Sequence, residues 1–223
     1  MNRWLSALTS VAAFAMPIVA SSQTLTTPSD WRWKADGPGR VVADEALPDS
    51  AWRFVGMPPG WHVTTRPGVV LFNPEHRAAG RYELESEMVL FPNASDEGFG
   101  IFFGGSGVDS PSATYTAVLL RRDGTVAIEE KRGSASATRT PWTPAPSAKA
   151  LVGAEAAANA LRVSVESDSI RVFVNGTRAL TRPTAGVATN GTFGFRVGRD
   201  LNLHIMSLDH KQKLAPRTAI SRQ

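Results

Sequence analysis

An alternation of apolar and polar residues with a period of two runs through residues 61–209, and it constrains the fold more than any other feature of the chain. Successive side chains of a β-strand point to opposite faces, so this alternation predicts strands with one buried face. Residues 81–91 are the clearest example, because apolar side chains alternate there with Glu83, Glu85 and Glu87. A helical period is almost absent, and only residues 152–160 suggest a helical turn.

Turn residues divide the alternating region into short segments. Asp123-Gly124 favours the positive φ angles of a tight hairpin between residues 114–122 and 125–132. Residues 98–105 are apolar on both faces, as expected of a central strand between two covered layers. Two further hairpins are predicted, formed by residues 161–165 with 170–174 and by residues 193–197 with 201–205. The pattern therefore predicts an all-β fold, an antiparallel sandwich of two sheets.

The N-terminus has the pattern of a secretory signal peptide. Arg3 precedes an apolar run from Leu5 to Ala20, and small residues follow the run. The run is shorter than the roughly 20 residues that a membrane-spanning helix needs, and Pro17 interrupts it. We therefore expect residues 1–22 to be removed, the protein to be secreted or periplasmic, and the mature chain to have no membrane span.

The rest of the chain is predicted to form one domain, residues 23–209. Its first part, residues 23–60, is rich in Pro, Gly and Asp and is expected to add one or two edge strands. Residues 133–150 are too rich in Pro, Ala and Ser for a strand, which predicts a long surface loop. The chain has no cysteine, so the domain needs a sizeable core of its own rather than disulfides. Residues 210–223 are expected to form a basic, disordered tail.

The net charge of +4 comes from the two ends of the chain. Arg3 and four basic residues beyond Asp209 account for it, and without these charges the rest of the chain carries about −1. A basic surface is what attracts nucleic acid. The domain is therefore not expected to bind nucleic acid.

Three parts of the sequence carry a family resemblance. They are Gly80-Arg-Tyr-Glu-Leu-Glu-Ser-Glu-Met with Glu97-Gly-Phe-Gly-Ile-Phe-Phe, then Asn159-Ala-Leu-Arg-Val-Ser-Val with Ile170-Arg-Val-Phe-Val-Asn-Gly, and finally Gly191-Thr-Phe-Gly-Phe-Arg-Val. These segments resemble the concanavalin A-like lectin and glucanase superfamily, which includes laminin G-like and 3-keto-disaccharide hydrolase domains. The resemblance covers residues 52–209 and implies a jelly-roll sandwich of two curved sheets. It also implies a glycan-binding or surface-interaction module or, alternatively, a glycoside hydrolase acting on a (3-keto-)disaccharide or related sugar.

Glu83, Glu85 and Glu87 are catalytic candidates, because alternate residues place three carboxylates on one face of a strand. Glycoside hydrolysis uses two carboxylates, one as acid and one as nucleophile or base. The spacing is similar to the Glu-x-Asp-x-Glu signature of laminarinase-like hydrolases. In those enzymes, however, a strand that begins like residues 80–83 precedes the catalytic strand, and residues 114–122, which then take the catalytic position, hold no carboxylate. A laminarinase-type mechanism is therefore not expected, and a solvated strand face is the alternative interpretation.

His204 is the fourth catalytic candidate. It shares a strand face with Asn202, and in the superfamily this strand commonly neighbours the one that carries the glutamates. A histidine with a purely structural role is the alternative interpretation. Trp142 lies in the Pro-rich loop, and exposed aromatic rings stack on the apolar faces of sugars. Trp142, Asn202 and His204 are therefore the predicted ligand-binding residues, and the predicted partner is a glycan or oligosaccharide.

No metal site and no cofactor is predicted, because the four histidines have no zinc-ligand spacing. The resemblance leaves a structural calcium ion open, since many superfamily members hold one with loop carboxylates. Asp96 and Asp109 are the only candidate ligands for it in the sequence.

Overall fold

A computed structural model describes residues 25–38, 40–42, 48–49, 51–135 and 138–214 of the 223. Within these residues the chain forms 17 strands and no helix, so no described helix could cross a membrane. The predicted signal peptide and residues 215–223 of the predicted tail lie outside the described residues.

The strands form two sheets, which we call sheet A and sheet B. Sheet A contains, in spatial order, β1 (Arg32–Ala35), β5 (Val69–Ala78), β15 (Gly191–Val197), β7 (Phe99–Ser106), β8 (Thr114–Leu120), β9 (Thr125–Arg132) and β10 (Thr138–Arg139), with β11 (Thr143–Pro144) also paired to β9. Sheet B contains β14 (Thr177–Pro183), β13 (Ser169–Val174), β12 (Ala157–Val165), β6 (Tyr82–Leu90), β16 (Asn202–Ile205), β4 (Trp61–Thr65), β3 (Ala51–Gly56) and β2 (Arg40–Val42), with β17 (Asp209–Gln212) also paired to β6. Described pairs are antiparallel except β2 with β3.

The two sheets pack face to face around one apolar core, as the alternation predicts. On β6 the apolar residues Tyr82, Leu84, Met88 and Leu90 are at most 1% exposed, and the glutamates between them point away from the core. Both faces of β7 are covered, because Phe99, Ile101 and Phe103 lie in the main core and Phe102 lies in a second apolar cluster.

A smaller apolar cluster lies on the outer face of sheet A and covers the second face of β7. Its buried members are Val70, Phe72, Phe102, Val108, Tyr115, Ala117 and Leu119, and Trp142 packs against them. One face of a sandwich sheet usually meets water, so an apolar layer there indicates that loops cover part of it.

Two of the three predicted hairpins are confirmed, and the third is wrong. β8 pairs with β9 and β12 pairs with β13, around the predicted turns. β15 lies in sheet A, however, while β16 lies in sheet B between β4 and β6. The chain crosses between the sheets at residues 198–200, where Thr65 Oγ1 donates to the Gly198 carbonyl at 2.7 Å and accepts from the Leu201 amide at 3.0 Å. Alternation with a period of two is the same for two paired strands and for two strands that face each other across a core. It therefore could not show that these two strands belong to different sheets.

Other segments also differ from the predictions. The helical turn predicted at residues 152–160 is wrong, because residues 157–160 begin β12. The segment 23–60 supplies three strands rather than one or two. The Pro-rich loop contains the short strands β10 and β11, both added to the edge of β9. His210, placed in the tail by the sequence, lies in β17, which pairs with residues 82–85 of β6 through backbone hydrogen bonds that its polar composition did not reveal.

Candidate functional site

The three candidate glutamates lie on the outer face of sheet B. The Glu83 carboxylate is 3.2 Å from Arg162 Nη1 and 2.9 Å from Lys213 Nζ. Burial alone would raise the pKa of Glu83, but Lys213 and Arg162 lower it below its ordinary value. Glu83 is therefore held ionised and is unsuited to donate a proton. Glu85 lies opposite Arg162 and Glu87 is exposed.

His204 shares this face with the glutamates but does not contact them. It pairs with Val89 of β6 and with His62 of β4. Its Nε2 lies 2.9 Å from the Pro59 carbonyl oxygen, and among the described residues no ion pair joins it to a carboxylate. The predicted approach of strands is present, whereas a His-carboxylate pair is not.

Asn202 and His204, both predicted to bind ligand, stand in a small polar patch on this face. Asn202 Oδ1 accepts a hydrogen bond of 3.3 Å from Thr64 Oγ1, and the rings of His62 and His204 are 6.3 Å apart. This arrangement offers imidazole and amide groups side by side, and the half-buried ring of Phe91 lies 5.7 Å from that of His62.

A different charged site occupies the outer face of sheet A. Arg196 projects onto this face because its neighbours Phe195 and Val197 point into the core. The Arg196 Nη2 atom donates to Asp36 Oδ2 at 2.7 Å, and the Arg196 side chain is only 13% exposed. Burial alone would lower the pKa of Arg196, but Asp36, with Tyr115 and Glu129, raises it above its ordinary value. The guanidinium is therefore a fixed positive charge.

The absence of a side chain at Gly68 leaves room for the ion pair between Arg196 and Asp36. A Cβ at Gly68 would overlap the Asp36 carboxylate and lie 3.0 Å from Arg196 Nη1. Gly98 leaves room in the same way for Trp142, because a Cβ at Gly98 would lie 2.9 Å from the Trp142 ring. Missing side chains on this face thus make room for planar groups.

A cavity of about 260 Å³ opens beside the ion pair, and we call it the Tyr115 pocket. Val70 and Tyr115 form its floor, and both belong to the outer apolar cluster. Its lining consists of Lys34, Ala35, Asp36, Val70, Val108, Pro111, Ala113, Tyr115, Lys131, Gly133 and Ser134. The residues come from four strands of sheet A, β1, β5, β8 and β9, and from the loops that follow β1, β7 and β9.

Tyr115 brings both a ring and a hydroxyl group to the pocket. Its hydroxyl has no hydrogen-bond partner among the described residues, whereas the Tyr82 hydroxyl donates to the Thr189 carbonyl. Burial raises the pKa of Tyr115 to about 12. The hydroxyl is therefore protonated at neutral pH and can donate a hydrogen bond to a ligand.

Two lysines stand at the rim of the Tyr115 pocket, Lys34 on β1 and Lys131 on β9. Lys34 Nζ donates to the Ser110 carbonyl, and Lys131 Nζ donates to the Ala135 carbonyl at 2.8 Å. The ion pairs among the described residues include neither of them. The two ammonium groups are thus positioned by loop carbonyls and not neutralised by acids.

Trp142 lies further along the same face. It is half-buried, packs against the outer apolar cluster, and has the Arg121 guanidinium 4.1 Å from its ring centroid. One side of the ring is therefore used within the protein, and the remaining surface is part of the face that holds the Tyr115 pocket.

A larger cavity, of about 440 Å³, lies at one end of the sandwich. Its described lining has four carboxylates and two arginines and no aromatic side chain; these charged residues are Asp36, Asp49, Arg66, Glu97, Arg199 and Asp200. Arg66 pairs with Asp200 at 3.6 Å. Apart from prolines its lining has no large apolar side chain, which is the usual means of holding an organic ligand, so we favour the Tyr115 pocket.

The two aspartates suggested for calcium do not fit such a site. Asp96 pairs with Arg122 at 3.3 Å, and Asp109 pairs with Arg32 at 3.4 Å. In the described part of the chain no three His, Cys, Asp or Glu side chains form a group that could hold a metal ion. Calcium prefers six to eight oxygen ligands, which neither aspartate has nearby.

Sequence reasoning missed the residues of the Tyr115 pocket, although one signal was present. Arg196 is a lone charge in the apolar strand β15, alternating with Phe193, Phe195 and Val197. Alternation therefore puts Arg196 on the face opposite these three residues. The contributions of Lys34 and Lys131 carry no such signal, because they depend on the spatial order of strands.

Comparisons with known proteins agree with this architecture. A scan against protein-family models finds no match, and a search of curated proteins finds none either. Among solved structures, the carbohydrate-binding module CBM66 from Bacillus subtilis has 11% identity, a TM-score of 0.56, and coverage of 71% of this chain and 91% of its own. The exoplasmic/lumenal domain of VIP36, in a Ca²⁺/Man-bound form, has 12% identity, a TM-score of 0.55, and coverage of 85% of both chains.

A third similar structure has a bound saccharide product. It is a GH16 protein of Bacteroides ovatus in complex with a G4G4G3G product, with 9% identity, a TM-score of 0.53, and coverage of 83% of this chain and 96% of its own. Identities this low indicate a shared fold and not a shared activity. The chain has the jelly-roll sandwich fold of the concanavalin A-like lectins and glucanases.

Proposed function

We propose that this protein is a secreted glycan-binding module and that its saccharide site is the Tyr115 pocket. The observation that carries the proposal is the combination of an apolar floor, Val70 and Tyr115, with polar groups at the rim. Sugars present apolar C–H faces and polar edges, so a site for them needs both kinds of surface. The cavity volume of about 260 Å³ suits one or two sugar rings.

Trp142 provides a second contact for a longer ligand. Tyr115 and Leu119 lie on one face of β8, four residues and therefore about 13 Å apart, and Trp142 packs on the cluster that contains Leu119. An oligosaccharide bound along β8 reaches both aromatic residues. Trp142→Ala is expected to weaken binding of a tetrasaccharide and to leave binding of a monosaccharide unchanged.

The polar patch of sheet B, with Asn202 and His204, is the alternative location for a ligand. We rank it second, because the Tyr115 pocket combines a cavity with an aromatic floor and lysines at the rim. Glycoside hydrolysis is the alternative to simple binding, and the candidate glutamates on this face would then be involved. One experiment separates these alternatives.

The purified protein is titrated calorimetrically with a panel of oligosaccharides, including 3-keto-disaccharides, and the mixtures are analysed for products. Ser134→Trp fills the Tyr115 pocket from its exposed rim, and Ser167→Trp places the same bulk on an exposed loop of sheet B. We expect saturable binding without products, abolished by Ser134→Trp and retained by Ser167→Trp. Loss on His204→Ala instead would move the site to sheet B, and product formation would make the protein a hydrolase.

Secretion has its own test. Mass spectrometry of the protein expressed with its full N-terminus should find a mature chain beginning near residue 23. An intact Met1 in the exported protein, or retention in the cytoplasm, would contradict this part of the proposal.

A further inference from the structure

We infer that the Tyr115 pocket selects saccharides that carry a negatively charged group, a carboxylate or a sulfate. This inference rests on the proposed function of the pocket and adds the chemical class of its ligand. It depends on the balance of hydrogen-bond donors and acceptors around the cavity.

The polar groups that face the pocket are mainly donors. An ammonium group has three donors and no acceptor, and Lys34 and Lys131 each use one donor on a loop carbonyl. The Tyr115 hydroxyl adds a further donor without a partner among the described residues. Sugar hydroxyls need acceptors as well as donors, so this lining suits a ligand group that only accepts.

The acceptors nearby are already engaged with cations. Asp36, the carboxylate of the pocket lining, accepts from Arg196 at 2.7 Å. Asp109, in the loop above the pocket, pairs with Arg32 at 3.4 Å. The two lysines therefore remain the charges that a ligand meets at the rim.

A second cavity, of about 320 Å³, lies next to the Tyr115 pocket and is partly lined by Thr116 and Glu130, which point to the opposite face of sheet A. It shares Tyr115 and Lys131 with the Tyr115 pocket and is also lined by Glu130 and Arg132. Glu130 is in contact with both Arg132 and Arg182, so one carboxylate faces two guanidinium groups.

The test uses matched pairs of oligosaccharides that differ only in charge. One set contains galacturonate, glucuronate, mannuronate and guluronate oligomers with their carboxyl-reduced counterparts, and the other contains sulfated oligosaccharides with their desulfated counterparts. We expect binding to at least one acidic member and at least tenfold weaker binding to its neutral counterpart. The set that binds distinguishes a carboxylate from a sulfate.

Lysine variants connect this preference to the pocket. Lys131→Gln and Lys34→Gln are each expected to weaken the acidic ligand about tenfold, with a smaller salt dependence of affinity. Lys34→Arg, which retains the charge, should preserve most of the affinity, and Lys149→Gln, at an exposed lysine elsewhere, should change nothing. Unchanged melting temperatures exclude unfolding as the cause.

The two proposals fail in different ways. Equal binding of acidic and neutral partners, with Ser134→Trp still abolishing it, would overturn the charge preference and leave the glycan site standing. Binding of acidic ligands that neither lysine variant weakens would also overturn the inference. Absence of binding to every saccharide would overturn both proposals.

Discussion

The side chain of His62 makes the stability of this fold depend on pH. The residue is 8% exposed although it points to the outer face of sheet B, and its Nδ1 has no hydrogen-bond partner among the described residues. Burial, together with the charges of Arg53 and His204, lowers the pKa of His62 to about 4, although a hydrogen bond with Asn202 opposes this. The folded protein therefore holds His62 neutral over a range in which the unfolded chain binds a proton.

The sign of the resulting stability change follows from this difference. Above pH 6.5 both states hold a neutral imidazole, and as the pH falls towards 4 only the unfolded state gains the proton. The free energy of unfolding should therefore decrease by about 2 kcal/mol between pH 7 and pH 5. Urea denaturation at both pH values measures it, and His62→Phe, which keeps an aromatic ring beside Phe91, should remove most of the decrease.

His76 acts in the same pH range and must be compared with His62. Burial lowers the pKa of His76, with Asp30 raising it and His210 lowering it. We therefore expect His76→Phe to remove only the part of the decrease in the free energy of unfolding that His76 itself causes. An identical pH profile in wild type and in His62→Phe would contradict the role of His62.

At the scale of elements, Gly104 in β7 shows where backbone atoms need to come close. It has φ of +64°, and a Cβ there would overlap the Ala188 carbonyl of the neighbouring loop. Gly153 has nearly the same angle, +62°, and no atom within 4 Å of its Cβ position. Gly153→Ala should cost about 1 kcal/mol from the backbone angle alone.

Gly104→Ala adds a clash with backbone atoms to the same angular cost. We expect it to destabilise the protein by several times the cost of Gly153→Ala, or to prevent folding. Urea denaturation of both variants measures the difference. Equal costs would mean that the loop at Ala188 moves away freely.

The Pro-rich loop is fixed to sheet B by a buried amide. The Asn159 side chain is 3% exposed, accepts from the Lys149 amide at 2.8 Å, donates to the Lys149 carbonyl at 2.9 Å and accepts from Asn175 Nδ2 at 2.9 Å. Asn159→Ala would remove the partners of the Lys149 amide and carbonyl, whereas Asn175 Nδ2 would still donate to the Ser147 carbonyl at 2.7 Å. It should lower the free energy of unfolding by roughly 2–3 kcal/mol and speed proteolysis within residues 141–150.

Asn202→Ala is the matched control for this change. Asn202 is half-buried, accepts a weak hydrogen bond of 3.3 Å from Thr64 and interacts with the imidazole of His62. Its loss should cost less than about 1 kcal/mol. Similar costs for the two variants would contradict the anchoring role of Asn159.

At the scale of the whole molecule, the sequence predicted the class of fold but not the division of strands between sheets. Alternation depends on which residues are buried, and Phe195 and Leu203 are both buried in the same core. It therefore cannot show that these two residues belong to opposite sheets. The Tyr115 pocket could not be predicted from the sequence for the same reason. It brings together Lys34 and Lys131, which lie on strands almost a hundred residues apart.

The C-terminal strand completes sheet B with little apolar burial. All four residues of β17 are exposed, and the strand covers residues 82–85 of β6. Directly after it, Lys213 Nζ lies 2.9 Å from Glu83 and 2.5 Å from Glu166. Hydrogen bonds and charge, rather than burial, must hold this end of the chain in place.

Truncation after Leu208 tests this account, with truncation after Leu214 as its control. The shorter chain exposes an unpaired edge of β6, and such edges pair with other chains. We expect a loss of about 1–3 kcal/mol in the free energy of unfolding and self-association that increases with concentration in sedimentation experiments. The chain ending at Leu214 keeps β17 and Lys213 and should match the full protein in both measurements.

The dependence of the free energy of unfolding on acidic pH distinguishes the contribution of Lys213 to stability from that of β17. The hydrogen bond from Lys213, with one from Arg81, lowers the pKa of Glu166 to about 2 although burial opposes this. A lowered carboxyl pKa stabilises the fold above pH 4.5, and that contribution is lost as the pH falls towards 2. Lys213→Ala should reduce this loss while the protein stays monomeric, because β17 still covers the edge of β6. A Lys213→Ala protein that self-associates like the chain ending at Leu208 would show that the lysine, and not the strand pairing, protects this edge.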